Sequence, residues 1–158
     1  MPNWCMNNLT ISHEDPAKLQ EFVDAYNSGK TCEHYLPVPS GYYDDESWYD
    51  WCIQNWGTKW DFGKREHDDP VTIEGNKVVV SFDTAWSPPV EFYGQLVDLE
   101  YNVRASYFEP GLAFCGIWDN CIDNYIEYGG VEKIEEVIPV ALWNEYAMDE
   151  FFEMMGEE

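Results

Sequence analysis

Two helix-start signals, each placed directly after a strand-like segment, restrict the folds open to this chain. Asp15–Pro16 and Ser87–Pro88 each join a capping side chain to a proline, which the first turn of a helix accepts without losing a hydrogen bond. The apolar residues behind each signal recur at helical spacing, which predicts one helix that ends near Gly29 and a second that reaches Tyr101. Strands and helices therefore alternate along this part of the chain.

Five segments have the composition of β-strands, namely 8–12, 71–74, 77–83, 102–108 and 112–118. Gly75–Asn76 separates the second from the third as a two-residue hairpin turn, and Glu109–Pro110–Gly111 turns the chain between the last two. With the two helices, the order is βαββαβ plus an added strand. That order predicts an α+β fold of the ferredoxin-like, split βαβ type, in which two helices cover one face of an antiparallel sheet.

Residues 30–69 interrupt this pattern with an irregular segment. Pro37, Pro39 and Gly41 mark a loop, and a short tryptophan-containing helix is predicted over 47–55. A loop this long inside a compact domain is usually functional or disordered, and its tryptophans argue against disorder. We therefore expect a Trp-rich insertion with its own aromatic cluster.

The chain has 158 residues, which is the length of a single domain. We expect residues 1–118 to form the ferredoxin-like core and residues 119–158 to form an acidic extension packed on it. Pro139 can open a helix that runs through about Met155, because proline fits the first helical position. The extension is therefore predicted to contain one acidic C-terminal helix.

The chain carries 31 acidic and 8 basic side chains, which gives a formal charge of −23. Such a charge repels nucleic-acid backbones and anionic membranes, and it favours encounter with a basic protein. Five cysteines without C-x-x-C spacing and the lack of a cleavable signal segment predict reduced thiols in the cytoplasm. No apolar run approaches the roughly 20 residues that span a bilayer. We expect a cytoplasmic protein with a basic protein partner and no direct contact with nucleic acid or membrane.

Four motifs carry a resemblance to a known family: MPNWCMNNL (1–9), NWGTKWD (55–61), FDTAWSPP (82–89) and YFEPG (107–111), the last followed by Phe114 and Gly116. Together they resemble the YubB-type family of ferredoxin-like proteins carried by phages and plasmids, over roughly residues 1–118. The resemblance implies a ferredoxin-like domain and an origin on a mobile genetic element. It implies no activity, and it does not extend to the acidic residues after Asn120.

One short segment, 55–61, places two tryptophans around one of the eight basic residues, and we expect Trp86 to lie near them. The candidate ligand-pocket residues are Asn55, Trp56, Lys59, Trp60, Asp61 and Trp86. In one interpretation the indole faces and the cation form a pocket for a small molecule such as a nucleotide. In the other, the tryptophans belong to the core, the Lys59 stem covers an indole and Asp61 caps a turn.

The predicted C-terminal helix would carry a row of carboxylates. Glu145, Asp149 and Glu153 recur every four residues, about 6 Å apart along a helix axis, a spacing close to that of phosphates along a nucleic-acid strand. The row is either a solvated helix face or a nucleic-acid mimic that occupies the channel of a basic partner, such as a host defence nuclease or its DNA-recognition subunit. The predicted partner contacts are Glu135, Glu136, Glu145, Asp149, Glu150 and Glu153. The first function expected is therefore an anti-defence inhibitor, and the alternative is a small-molecule binder.

The sequence favours neither a metal site nor a catalytic site. Cys32, His34 and His67 are the nearest metal candidates, but they lack the paired spacing of structural zinc sites. The imidazoles, including that of His13, lie in loop-like settings without a nucleophile-and-base signature. Any pair chosen among 31 acids would be arbitrary as a hydrolytic pair. We expect a protein without enzyme activity, metal or cofactor.

Overall fold

Five β-strands and six α-helices make up residues 3–42 and 47–156, the part of the chain that this computed structural model describes. The strands are β1 (Trp4–Ser12), β2 (Lys77–Ala85), β3 (Asn102–Glu109), β4 (Phe114–Asp119) and β5 (Ile122–Glu127). The helices are α1 (Pro16–Asn27), α2 (Thr31–Tyr35), α3 (Ser47–Asn55), α4 (Val90–Asp98), α5 (Val140–Glu145) and α6 (Met148–Gly156). The protein is thus of the α+β class.

The first predicted helix is present as α1, and its sequence explains where it begins and which face it buries. The Asp15 carboxylate accepts a hydrogen bond from the Ala17 amide at 2.9 Å, and Pro16 takes the first helical position. Gly29, which adopts φ +82° just after α1, ends this helix. The buried stripe contains Leu19, Phe22, Val23 and Tyr26.

The second predicted helix, α4, begins later than the Ser87–Pro88 signal indicates. It starts at Val90, and no side chain caps it. The Ser87 hydroxyl donates instead to the Gly57 carbonyl at 2.6 Å. The predicted cap was wrong because the serine is used in a long-range contact that ties the start of α4 to the loop after α3.

The five strands form one antiparallel sheet in the order β2-β1-β3-β4-β5. β2 and β3 both run antiparallel to β1, which lies between them, so they are parallel to each other and α4 connects them. β3, β4 and β5 follow one another as hairpins. The central position of β1 explains why it extends over nine residues, beginning at Trp4, where the sequence predicted only 8–12.

The predicted Gly75–Asn76 turn is present, closed by two backbone hydrogen bonds between Glu74 and Lys77, but the predicted strand 71–74 is wrong, because residues 71–73 are not in a strand. The segment pairs with β2 only through an isolated bridge between Glu74 and Lys77. The Val71 amide is bound instead by the Asn27 side-chain oxygen at 3.2 Å. This bond holds the start of the segment against the end of α1, so that only Glu74 pairs with the backbone of β2.

The two faces of the sheet are covered by different helices. α1, α4 and the residues of the 30–69 segment pack on one face in the larger hydrophobic cluster. α5 and α6 pack on the other face, where Phe108 and Cys115 of the sheet join Leu142 and Met148 in a second cluster. Among the described helices, none combines the length and the apolar character needed to cross a bilayer.

The predicted single helix from Pro139 to about Met155 is wrong. α5 ends at Glu145, Ala147 adopts φ +48°, and α6 then begins in a new direction. Leu142 and Met148 are both fully buried, yet six residues on one helix differ by about 240° around the axis. One straight helix could not bury both on the same sheet face, so the break is required by packing.

Candidate functional site

A cavity of about 660 Å³ lies between α3, the start of α2 and the loop that follows α3. Its volume falls in the range of roughly 300–1,000 Å³ that small-molecule sites occupy. We name it the aromatic cavity, and its lining residues are Lys30, Glu33, Trp48, Cys52, Trp56, Lys59, Trp60 and Asp61. Four of the six predicted pocket residues, Trp56, Lys59, Trp60 and Asp61, are thereby brought together.

Asp61 fixes the geometry of the cavity floor. Its carboxylate accepts hydrogen bonds from the backbone amides of Cys32 at 2.7 Å, Glu33 at 2.9 Å and Phe62 at 2.8 Å. Burial raises the pKa of Asp61 above its usual range, although these amide hydrogen bonds act in the opposite direction. The carboxylate therefore joins the first turn of α2 to the loop after α3, and both of its oxygens are already engaged.

The two tryptophans of the predicted pocket have different roles. Trp56 is only 3% exposed, its indole N–H donates to the Leu36 carbonyl at 2.8 Å, and its ring meets Trp51 edge-on. Trp60 is 40% exposed and lies 6.1 Å, between ring centres, from Trp4. Trp56 therefore belongs to the core and forms one wall of the aromatic cavity, whereas the Trp60 ring is partly accessible to solvent.

Two ammonium groups face this cavity. The Lys59 nitrogen lies 4.6 Å from the centre of the Trp60 ring and 5.5 Å from that of Tyr49, a cation–π arrangement. Neither Lys59 nor Lys30 makes an ion pair with any carboxylate in the described part of the chain. The carboxylates of the cavity are bound by backbone amides, Asp61 as above and Glu33 by the Val38 amide at 3.3 Å. The cavity thus combines apolar rings with cations that are open to a further anion.

Asn55 and Trp86, the other two predicted pocket residues, do not line the aromatic cavity. The Asn55 side-chain amide donates back to the Trp51 carbonyl at 2.9 Å, at the end of α3. Trp86 is 39% exposed, and its backbone amide donates to the Asn3 carbonyl at 2.8 Å beside the start of β1. The prediction that Trp86 completes the pocket is wrong because the turn after β2, at φ +71° for this residue, directs it elsewhere.

A second depression of about 530 Å³ adjoins the aromatic cavity and shares Asp61 with it. We name it the basic cleft, and its lining residues are Trp4, Gly29, Asp61, Phe62, Gly63, Lys64, Arg65, Asp68, Phe82 and Asp83. The Arg65 guanidinium pairs with Asp68 at 3.3 Å and reaches Asp83 at 4.0 Å. The Lys64 ammonium makes no ion pair within the described residues and bonds to the Arg65 carbonyl.

Sequence reasoning missed four residues of the aromatic cavity and all of the basic cleft except Asp61. Lys30 and Glu33 reach the cavity through the long-range contact between Asp61 and α2, whereas Trp48 and Cys52 reach it from α3. No local motif encodes that contact. One local signal pointed to this contact: Asp61 follows directly after a segment with two tryptophans and a lysine. From it the sequence predicted that Asp61 caps a turn, but not that it binds the amides of α2.

The six predicted partner contacts are all exposed, but they do not form one row. Glu135 and Glu136 lie in a short 3-10 helix, Glu145 ends α5, and the other three lie on α6. The Asp149 carboxylate also accepts a hydrogen bond from the Trp143 indole at 2.6 Å. The predicted spacing of Glu145, Asp149 and Glu153 on one helix is wrong, because the break at Ala147 separates the first from the others.

The metal and nucleophile candidates lie in different surroundings. Cys32 is fully buried, and burial raises the pKa of its thiol well above the usual range. The His34 imidazole pairs with the Glu21 carboxylate at 3.2 Å on the surface. Within the described residues, no group of three or more His, Cys, Asp and Glu side chains is arranged to hold a metal ion.

The chain matches no protein-family model, and no curated protein or solved structure is significantly similar to it.

Proposed function

We propose that the protein binds a planar, anionic small molecule of about mononucleotide size in the aromatic cavity. One observation carries this proposal. Lys30 and Lys59 line the aromatic cavity, and Lys64 and Arg65 line the adjoining cleft, so four of the eight basic residues lie at one place on a protein of charge −23. Cations dispersed only for solubility would not be concentrated around tryptophan rings.

The components of the site suit such a ligand. Trp60 is 40% exposed, so the part of its ring that the Lys59 ammonium does not cover can stack on a planar ring, and stacking of a nucleobase on an aromatic side chain contributes about 1–3 kcal/mol. Lys59 and Lys30 can pair with an anionic group, since no described carboxylate neutralises either one. The buried Trp56 supplies a rigid apolar wall. The ring and the anion of the ligand would therefore contact different parts of one cavity.

The negative charge of the whole protein does not prevent this binding at physiological salt. Exposed charges act over about 8 Å at an ionic strength of 0.15 M. The helices α5 and α6, which carry Glu145, Asp149, Glu150 and Glu153, pack on the opposite face of the sheet from α1 and α4. Glu33, Asp61, Asp68 and Asp83 balance the four cations of the two depressions, so the attraction for an anion comes from the Lys30 and Lys59 ammonium groups, which make no ion pair in the described residues.

Titration with adenosine 5′-monophosphate, uridine 5′-monophosphate and inorganic phosphate tests the proposal. At least one nucleotide is expected to quench the intrinsic tryptophan fluorescence and to release heat on binding, whereas phosphate alone binds more weakly because it cannot stack. Trp60→Ala is expected to weaken binding by about 5- to 150-fold, which corresponds to the stacking energy. Lys59→Gln is expected to weaken nucleotide binding while leaving the fold intact.

Trp86→Ala and Lys133→Gln are the matched controls. Trp86 is as exposed as Trp60 but lies outside the cavity, and Lys133→Gln changes the net charge by the same amount as Lys59→Gln. Both controls should bind as the unmodified protein does. The proposal fails if no nucleotide binds, or if the controls weaken binding as much as the cavity variants.

A second candidate function is the binding and inhibition of a basic host protein, such as a nucleic-acid-binding defence enzyme. Exposure of all six predicted acidic contacts favours it, and so does the packing of α5 and α6 on the sheet, which presents their acids on a firm surface. A protein surface of this charge accelerates encounter with basic partners at low salt.

This second candidate predicts retention of basic host proteins on the immobilised protein at about 0.05 M salt and their release at about 0.5 M salt. Reversal of Glu145, Asp149 and Glu153 to lysine should abolish retention. The control reverses Glu14, Asp24 and Asp98, which are exposed acids on other parts of the fold. Equal loss in both variants would mean that only net charge matters and would remove this candidate.

We infer that the sheet is a variant of the ferredoxin-like, split βαβ arrangement. β2, α4 and β3 make one such unit, because the two parallel strands have β1 between them. Segment 71–74, which touches the free side of β2 through the Glu74–Lys77 bridge, would complete the other unit as a rudimentary strand. The resemblance to the YubB-type family supports this inference, and it supports an origin on a phage or plasmid.

A further inference from the structure

Strand β5 is an edge strand with an open hydrogen-bonding side. Asn120 and Cys121, at φ +44° and +77°, form a two-residue turn, so Asp119 and Ile122 close the β4–β5 hairpin as a hydrogen-bonded pair. Hydrogen-bonded and non-hydrogen-bonded residue pairs alternate along an antiparallel pair of strands. The Tyr128 amide, which donates to the Ala113 carbonyl at 3.0 Å, fits this alternation. The intervening residues of β5 therefore point their backbone groups away from β4.

Those outward residues are Asp123, Tyr125 and Glu127. Within the described chain no group bonds to their backbone N–H or C=O, and all three are exposed. At the other edge of the sheet, β2 has segment 71–74 beside it. Unpaired edge strands accept an extended segment by strand addition, in which backbone bonds provide affinity and alternate side chains provide specificity.

The side chains of these three residues select the occupant. They lie on one face of the sheet in the order acid, aromatic, acid, since alternate residues of a strand share a face. A segment with basic residues opposite Asp123 and Glu127 and an apolar residue opposite Tyr125 would make favourable cross-strand pairs at all three positions.

A second copy of this chain is a poor occupant of the same edge. Antiparallel pairing of two β5 strands centred on Tyr125 would place the Asp123 carboxylate of each copy opposite the Glu127 carboxylate of the other. Like charges directly opposite each other destabilise a strand pair, and each copy has a net charge of −23. The acids thus disfavour self-association at this edge and favour a basic strand.

We propose that β5 is a docking strand for an extended basic segment of a partner protein, with the pattern basic, any, apolar, any, basic. The inference does not rest on the aromatic cavity, and it gives the basic-protein candidate a contact strand separate from α5 and α6. Because the recognised pattern is symmetrical, it can dock in either strand direction.

A synthetic peptide with lysine at positions two and six, valine at position four and threonine elsewhere tests the proposal on the full-length protein. Its addition to the ¹⁵N-labelled protein should shift the amide resonances of Asp123, Tyr125 and Glu127 more than those of α5 and α6. A peptide with glutamate in place of both lysines should bind at least tenfold more weakly. A peptide of the same composition with its lysines adjacent should also bind more weakly.

Three variants separate the edge from general charge. Asp123→Asn with Glu127→Gln removes both charges but keeps the side-chain oxygens that accept from the Tyr107 and Tyr125 hydroxyls at 2.6 and 2.8 Å, and it should weaken peptide binding at least tenfold. Glu135→Gln with Glu136→Gln, which changes the net charge equally, should weaken it far less. Tyr125→Pro leaves the charge unchanged and removes an outward N–H, so it should also block docking. Equal weakening by the two charge variants, or binding that survives Tyr125→Pro in a folded protein, would overturn the proposal. Shifts at 123–127 on concentrating the protein alone would identify a second copy as the occupant and would overturn it as well.

Discussion

Replacement of Trp56 with alanine is expected to lower the free energy of unfolding by about 3–5 kcal/mol, the usual cost of truncating a large buried aromatic residue. Trp56 is 3% exposed and belongs to the larger hydrophobic cluster, with Trp51 edge-on at 5.9 Å between ring centres. The variant also removes the indole donor to the Leu36 carbonyl. Urea denaturation followed by far-UV circular dichroism measures the change without relying on tryptophan fluorescence.

Trp60→Ala is the matched comparison for the stability effect of Trp56→Ala. Trp60 lies in the same short segment and lines the same cavity, but 40% of its surface is exposed, so its removal should change the free energy of unfolding by less than about 1 kcal/mol. We therefore expect Trp56→Ala to affect mainly stability and Trp60→Ala mainly ligand binding. A loss below about 1 kcal/mol for Trp56→Ala would show that the larger core does not depend on this residue.

The sequence alone left open whether the tryptophans of 55–61 form a core or a pocket, and the structure divides them between the two. The spacing of Trp56 and Trp60 can be read from the sequence, but the burial of each side chain depends on which residues pack against its ring. Trp56 meets Leu36 and Trp51, whereas Trp60 meets Trp4 from the first strand. The contacts with Leu36 and Trp4 join residues far apart in sequence and cannot be found from local spacing.

Elements with short-range signals were predicted best. The Asp15 cap and the apolar stripe behind it gave α1, and the Glu109–Gly111 turn gave the hairpin of β3 and β4. β5 was missed because its residues are exposed on both faces, so that it shows no alternation of apolar and polar side chains. It is a strand because β4 offers it a hydrogen-bonding edge, which only the folded sheet can provide.

The C-terminal helix shows a different limit. One continuous helix from Pro139 would place Val140, Trp143, Ala147, Phe151 and Met154 on one face as a buried stripe, but Val140 and Met154 are exposed. The sheet face instead buries Leu142 and Met148, and the chain turns at Ala147 to allow this. The row of acids predicted on one helix failed for the same reason, since periodicity assumes a continuous axis and tertiary packing can interrupt it.

Gly63→Ala is expected to lower the free energy of unfolding by about 3 kcal/mol, at the upper end of what an added methyl group costs in a packed interior. A β-carbon at this position would lie 2.5 Å from the Gly29 α-carbon and 2.7 Å from the Tyr26 carbonyl oxygen. Both obstacles are backbone atoms, so no side chain can rotate away. The same Tyr26 carbonyl accepts the Lys64 amide at 2.8 Å, and any separation of the two segments stretches that bond.

Gly94→Ala is the matched control, because the same methyl group is added where no heavy atom lies within 4 Å. Gly94 lies inside α4, where alanine is favoured over glycine by about 0.5–1 kcal/mol, so this variant should stabilise the protein. Opposite signs for two identical substitutions, measured by chemical denaturation, would show that the close approach at Gly63 and not a general intolerance of alanine causes the loss. Because Gly29 and Gly63 both line the basic cleft, a tolerated Gly63→Ala would mean that the segments forming this cleft can move apart.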